Sequence, residues 1–257
     1  CGVCKIGGYM NYSWNWGVLL QPTGVGSEVY WQWLATGFGW LLVIGSAGWL
    51  IALVIGTILG IMRTLPNKTA RTIGTVYVSV FRNIPLLIQL FFWFYVVPTW
   101  LTPGLQKWWF QDLSPNTSAV ISASIGLGLF TAARIVEQVR TGIESLSKGQ
   151  SNAAYALGFS LPQAYRHIIL PQAFRVILPP MSSELTNCFK NASVASLVGV
   201  TELISQTKTI SEYTQNNLEV YTYATIIYLL FNLVLIFLMG QLEKRLRIKG
   251  QIDGGEA

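Results

Sequence analysis

Charge-free apolar runs dominate the chain. Residues 40–62 and 220–240 contain no Asp, Glu, Lys or Arg. Each satisfies the need of a membrane-crossing helix for about 20 mostly apolar residues across roughly 30 Å of hydrocarbon. Three further segments follow the pattern with interruptions. Residues 75–98 are apolar but for Arg82 and Asn83. Residues 117–136 are rich in small side chains (Ser118, Ala119, Ser122, Ala123, Ser124, Gly126, Gly128) until Arg134 closes them. Residues 174–199 carry Pro179, Pro180, Glu184 and Lys190 in an otherwise apolar pattern. Breakers and charges at membrane depth persist only against protein or a water-filled cavity, so this segment reads as a packed, kinked helix. The pattern predicts an all-α membrane protein of five spans. Ahead of the first span, residues 28–38 with Tyr30, Trp31 and Trp33, together with Trp40, read as an interfacial anchor at the headgroup level, a helix on the membrane surface.

Composition points the same way. Of 257 residues, 52% are hydrophobic and 11% charged, against about 25% charged in a soluble domain. The net charge of +6 is explained by its distribution. Arg63, Lys68 and Arg71 follow the first span; Arg134, Arg140, Lys148, Arg166 and Arg175 sit around the long loop; Lys244, Arg245, Arg247 and Lys249 close the chain. Basic loops mark the cytoplasmic face. The N-terminus is therefore expected outside, with Lys5, Lys107 and Lys208, and the C-terminus inside. A nucleic-acid partner is not needed to explain the basic balance. The domains expected are a tail over 1–27, a membrane domain over 28–249 with its cytoplasmic loop at 137–173, and a tail over 250–257. Cys1 and Cys4 lack a second ligand pair, Cys188 lies in an apolar stretch, and no metal site is expected. Residues 1–9 precede a natural-looking start at Met10 and read as non-native. No cleavable signal peptide is expected ahead of the first span.

The loop 137–173 has its own order. Residues 150–157 read as a short helix stopped by Gly158, a residue suited to a left-handed end. Ser160 with Gln163 forms a capping box for a second short helix, with Pro162 in its first turn, running through Ile169 and ending before Pro171. Tyr155, Leu157, Phe159 and Tyr165 give this knob an apolar surface too small for a core, as a docking plug would have.

The spacing Ala153-Ala154-x-x-x-Gly158, followed by Ile168-x-Leu170-Pro171, resembles the coupling motif of permease subunits of ABC importers. In that family the motif opens Glu-Ala-Ala; here Asn152 stands in place of the glutamate, which removes a carboxylate and keeps the Ala-Ala-Gly scaffold. The resemblance runs from Trp14 to about Lys249. It includes Phe81-Arg82-Asn83-Ile84-Pro85-Leu86, Phe130-Thr131-Ala132-Ala133-Arg134 with Glu137 to Arg140, and Lys190-Asn191-Ala192-Ser193-Val194-Ala195-Ser196. Together these look like the polar amino acid subgroup, and most like the glutamate/aspartate importer permeases.

The resemblance implies a type I importer permease fold in the bacterial inner membrane. It implies a second permease subunit, identical or a sister, an extracytoplasmic amino-acid-binding protein, and two ATPase subunits gripping the knob at Asn152, Ala153, Ala154, Tyr155, Gly158, Phe159, Ile168, Leu170 and Pro171. The chain has no G-x-x-x-x-G-K-[ST] loop. ATP with Mg²⁺ is therefore assigned to the separate ATPase chain and no cofactor to this one. No catalytic residues are expected.

The substrate-pathway candidates are the intramembrane polar residues Arg82, Asn83, Gln89, Glu184, Asn187, Lys190, Asn191 and Ser193, which lipid would not tolerate unpartnered. Arg82 or Lys190 would neutralise a substrate carboxylate; the competing reading has both pairing or snorkelling, with Glu184 bound to a nearby base. Arg82, near the cytoplasmic end, reads first as structural. His167 reads as a surface residue. Gly56 and Gly60, spaced G-x-x-x-G, suit a close helix contact. An ATP-independent carrier or channel is the rival reading, weakened by the odd span count and the lack of an inverted repeat. A membrane enzyme would need clustered histidines or paired carboxylates, and none is present.

Overall fold

Two sets of small residues, four positions apart on two different helices, set the centre of the molecule. The computed structural model describes residues 12–24 and 26–246. The tail cysteines and the reading of residues 1–9 as non-native lie outside the described residues.

Helix α1, Tyr30–Thr64, is one rod of 35 residues. The separate surface helix expected at 28–38 is thus corrected: residues from Tyr30 onward are the N-terminal end of the long helix α1 itself. No proline or charge interrupts residues 30–62, so nothing breaks the helix. At 1.5 Å per residue it rises about 52 Å, well beyond the hydrocarbon thickness, and its ends project.

Helix α2, Lys68–Asn83, starts where the Asn67 side chain accepts the Ala70 N–H at 3.2 Å. Helix α3, Leu86–Phe91, continues through a π-turn (Phe92–Val96) and a 3₁₀ turn (Val97–Trp100). The two arms meet at 102°, so the expected continuous span over 75–98 is corrected to a broken one. Pro85 has no N–H for the Phe81 carbonyl. The Gln89 side chain replaces it, donating to Phe81 O at 2.8 Å and Ile84 O at 2.9 Å across the bend.

After the short α4 (Pro103–Lys107), helix α5, Pro115–Glu144, runs ten residues past Arg134. Ser114 caps it and Pro115 occupies its first turn. Helices α6 (Lys148–Ala156) and α7 (Leu161–Ala164) form the knob. A π-turn, Tyr165–Ile169, leads directly into α8, Leu170–Ala192. The expectation that the knob's second helix ends before Pro171 is therefore corrected. Pro171 falls in the first turn of α8, where its missing N–H is tolerated, and the Leu170 N–H reaches back to Tyr165 O. Pro179 and Pro180 stay inside α8.

A 3₁₀ segment, Ser193–Val198, ends at Gly199 with φ +89°. Helix α9, Leu203–Thr214, follows with the buried Glu202 carboxylate accepting the Ile204 and Ser205 N–H groups, each at 3.0 Å. Helix α10, Asn217–Leu246, ends the described chain. No β-strand occurs among the described residues; Pro22 and Val29 form an isolated bridge.

The core is the α1–α5 seam. Gly48, Ala52, Gly56 and Gly60 face Gly128, Ala132, Ile135 and Val139. A Cβ at Gly56 would lie 2.6 Å from Ile135 Cβ, and one at Gly60 2.6 Å from Val139 Cβ. The G-x-x-x-G pair thus packs within the chain, where the missing side chains let two backbones approach. Helices α1, α5 and α10 are each long and apolar enough to cross a bilayer, and α2 with residues 86–100 makes a fourth, bent, candidate. Helix α8 has 23 residues, about 35 Å of rise, but carries Arg175, Glu184 and Lys190.

Candidate functional site

Two places collect the polar and exposed groups that the packing does not use. The first is a cavity of about 280 Å³ lined by Arg82, Phe130, Arg134, Glu137, Gln138 and Glu184. The end of α2 supplies Arg82 at the 102° bend, α5 supplies one face, and α8 supplies Glu184. Arg134 Nη1 lies 3.7 Å from Glu184 Oε2, and its guanidinium stacks over the Phe130 ring at 5.4 Å. At that distance the ion pair is not a hydrogen bond, and the buried Glu184 Oε2 has no hydrogen-bond partner. Arg82 makes no ion pair among the described residues. Glu137 is held on its other side by Arg63 and by Arg140, the latter at 2.9 Å. An open carboxylate beside two guanidinium groups marks a place where a charged ligand has partners waiting.

The other pathway candidates separate. Gln89 is spent on the bend, and Asn83 donates to Ser79 O at 2.6 Å in its own helix. Ser193 donates to Lys190 O at 2.7 Å. Lys190 is exposed and lines a second cavity, of about 570 Å³, with Ser193, Tyr228, Asn232 and several aliphatic side chains. Asn187 and Asn191 are half-buried on α8. Arg82 and Glu184 are thus brought together, and Lys190 stands apart from them.

Four cavity residues fall outside the sequence-based candidates for the pathway: Phe130, Arg134, Glu137 and Gln138. A signal for them exists. Positions 130, 134 and 137/138 share one helical face, so Phe130, Arg134 and Glu137 point together once α5 is seen to continue past Arg134.

The second place is the knob. The Gly158 N–H donates to Tyr155 O at 3.0 Å and the Phe159 N–H to Ala154 O at 3.1 Å, closing α6 in a Schellman turn. Gly158 has φ +85°, which an L side chain rarely adopts. The Ser160 N–H donates to Gln163 Oε1 at 2.9 Å, completing the capping box. The two alanines divide: Ala154 is buried with Ala164, Ile169 and Ile143, while Ala153 faces out beside Asn152. Ile168 and Leu170 are half-buried at the base, and Pro171 and His167 are exposed. The outer surface presents Tyr155 and Phe159, with Leu157 at 77% exposure. The Tyr165 hydroxyl donates to Thr64 O at 3.1 Å, seating the knob on the end of α1.

A bundle of helices long and apolar enough to cross a bilayer, with a charged cavity and an apolar knob at one end, has the make-up of a membrane transport component. The chain belongs to the family of binding-protein-dependent transport system inner membrane components, whose model matches residues 52–248. It is 41% identical over 245 residues to the glutamate/aspartate import permease protein GltJ of Escherichia coli O6:H1, covering 95% of this chain and 100% of GltJ. It is 32% identical over 196 residues to the glutamate/aspartate import permease protein GltK of the same strain, covering 76% of this chain and 85% of GltK. The crystal structure of an amino acid ABC transporter with histidines superposes with a TM-score of 0.68 at 26% identity, covering 84% of this chain and 95% of that one. The resemblance read from the motifs is the family to which the chain belongs.

Proposed function

We propose that this chain is one of two permease subunits of an ATP-driven importer that carries glutamate and aspartate inward across the bacterial cytoplasmic membrane by alternating access. The observation that carries the reading is the knob, whose Tyr155, Leu157 and Phe159 stand exposed on a rigid double-helical turn. Exposed apolar groups on a turn seated against α1 and α5 suit a socket in a separate ATPase. ATP and Mg²⁺ act on that partner; movement of the knob passes through Tyr165 to α1 and through the π-turn to α8. A five-span, N-outside arrangement fits the gathering of Arg63, Arg71, Glu144 and Tyr155 around one wide cleft at the knob end. That two different glutamate/aspartate import permeases occur in one strain supports a sister chain as the second permease. A binding protein delivers substrate from the other side.

The test is reconstitution of the chain with its copurifying partners, followed by uptake of radiolabelled glutamate. ATP-dependent uptake is expected, with stoichiometric ATPase crosslinked through residues 150–171. A Gly158→Pro variant should insert normally and lose ATP-driven uptake, because proline fixes φ near −65° where the turn needs +85°. A chain that purifies alone, with no ATPase captured at the knob, would overturn the reading in favour of an ATP-independent carrier.

A further inference from the structure

We infer that residues 97–112 form an interfacial anchor, a short aromatic helical run lying in the phospholipid headgroup layer on the side of the membrane opposite the knob. This rests on the membrane reading above and adds to it a lipid contact that holds the far end of the bent second span.

Its depth is set by the two spans that flank it. Gly48 of α1 meets Leu127 and Gly128 of α5, while Gly60 meets Val139. The two helices therefore run parallel, and their first residues share one end of the molecule. The knob is at the other end, where Tyr165 reaches Thr64. On the near side of the segment, Leu90 and Trp93 of the bent arm lie beside Gly126, inside the span of α5. The chain thus leaves the apolar interior after residue 96 and re-enters it at Pro115. Between these points Leu101, Thr102, Leu113 and Ser114 have extended backbone. Lipid-exposed backbone of that kind is excluded from hydrocarbon, so the segment belongs at its boundary.

The surface of the segment has the chemistry of that boundary. Leu105, Trp108 and Trp109 follow the i, i+3, i+4 pattern and share one side of the run Pro103–Asp112, while Lys107 and Gln111 share the other. Trp100 is 70% exposed and Phe110 60%. Trp100 packs edge-on against Phe92 at 5.5 Å, and the Gln106 side chain donates to Thr99 O at 2.8 Å, so the run is ordered with its rings turned outward. Rings with an apolar body and a polar edge settle at headgroup level. Trp31, in the first turn of α1, and Tyr213, packed against Trp33, are exposed at the same end. A protein partner fits this surface less well. A binding protein that docks and leaves would return a large apolar patch to water in every cycle. A second permease would find here none of the small residues that let α1 and α5 approach closely.

The experiment places a bimane label on either side of the segment, in the whole complex and in the chain alone, each reconstituted in vesicles of phosphatidylethanolamine and phosphatidylglycerol. Cys1→Ala, Cys4→Ala and Cys188→Ala remove the native thiols. Labels are then attached at Leu105→Cys and Trp108→Cys on one side, and at Lys107→Cys and Gln111→Cys on the other. Three quenchers are compared: aqueous iodide, a lipid with a nitroxide on its headgroup, and a lipid with the nitroxide at the end of its acyl chain. At Leu105→Cys and Trp108→Cys the anchor predicts blue-shifted emission, the largest loss of fluorescence with the headgroup nitroxide, and little loss with iodide. Lys107→Cys and Gln111→Cys should lose most to iodide. Equal loss to iodide on both sides puts the segment in water, and a largest loss to the acyl-end nitroxide puts it in the hydrocarbon core; either result overturns the anchor. So does a Leu105→Cys label that iodide reaches in the chain alone and no quencher reaches in the complex, because a protein partner then covers it. Should Trp108→Cys fail to insert, Phe110→Cys repeats the measurement at a more exposed position. The importer reading is decided separately, by ATP-driven glutamate uptake, and stands or falls on that assay whichever way the labels report.

Discussion

Helices α5 and α10 are both 30 residues long and both apolar, yet they occupy opposite environments. The most apolar stretch of α5 has a mean hydropathy of 1.8 and is 72% buried; that of α10 has a mean hydropathy of 2.2 and is 6% buried. The more hydrophobic helix is the more exposed. In water that ordering would be an error. In lipid it is what physics requires, because hydrocarbon solvates Leu and Phe as well as a protein core does. What α5 has and α10 lacks is small side chains: Ser118, Ala119, Ser122, Ala123, Ser124, Gly126, Gly128, Ala132 and Ala133 are all buried. They permit close backbone approach to α1, where dispersion contacts accumulate. Helix α10 instead presents Leu229, Leu230, Leu233, Val234 and Phe237 outward, each more than half exposed. Its inner face is tied at the first turns, where Glu219 accepts the Asn15 N–H at 2.7 Å and the Tyr12 hydroxyl, and at Phe231, which packs edge-on against Phe38 of α1 and Phe189 of α8.

That contrast breaks first at the seam. Gly56→Leu would place side-chain atoms on Ile135 and the Ala132 carbonyl, and such overpacking costs about 1–3 kcal/mol or more. Loss of monodisperse protein in mild detergent, or a sharply lowered midpoint of SDS unfolding, is the expected outcome; a normal midpoint would mean α1 and α5 are not in contact. Next comes Glu137→Gln, which leaves Arg63 and Arg140 without their shared carboxylate. About 1.5–3 kcal/mol should be lost from the same unfolding measurement. Tyr77→Phe removes the hydroxyl that donates to Leu129 O at 2.7 Å from α2 to α5, and about 1 kcal/mol should go with it. Smallest is Leu229→Ala on the outer face of α10, expected within about 0.5 kcal/mol of wild type. A lipid-soluble spin label should react at Leu230→Cys and not at Ala132→Cys; the reverse pattern would invert the assignment of rim and centre.

Much of this fold is legible in the sequence because lipid imposes simple rules. The charge-free runs inside α1 and α10 mark helices outright. The knob is legible because its signals are local: a glycine where φ must be positive, and a serine three residues before a glutamine. The second span misleads because Pro85 acts at a distance. Its effect is to orphan the Phe81 carbonyl, and only the three-dimensional path shows Gln89 filling that role. Gln89 therefore looks like a pathway residue in the sequence and is a bend-holding one in the structure. Arg134 misleads in the opposite sense. As the charge that closes an apolar run it reads as a boundary, and nothing local says that α5 continues or that Glu184, fifty positions away, will face it.

The sequence by itself determined that the chain lives in lipid, which segments are helical and apolar, and that Gly158 must turn the knob. These depend on local conformational limits and on the free energy of transferring each segment from water, quantities fixed residue by residue. Tertiary structure alone decided that the small stripes of α1 and α5 face each other, that α2 breaks and is mended by Gln89, and that Arg82, Arg134 and Glu184 share one cavity. Those depend on which helices become neighbours. In a bilayer, where apolar surface is equally content against lipid or protein, that choice is made by close packing and by the need of each buried charge for a partner.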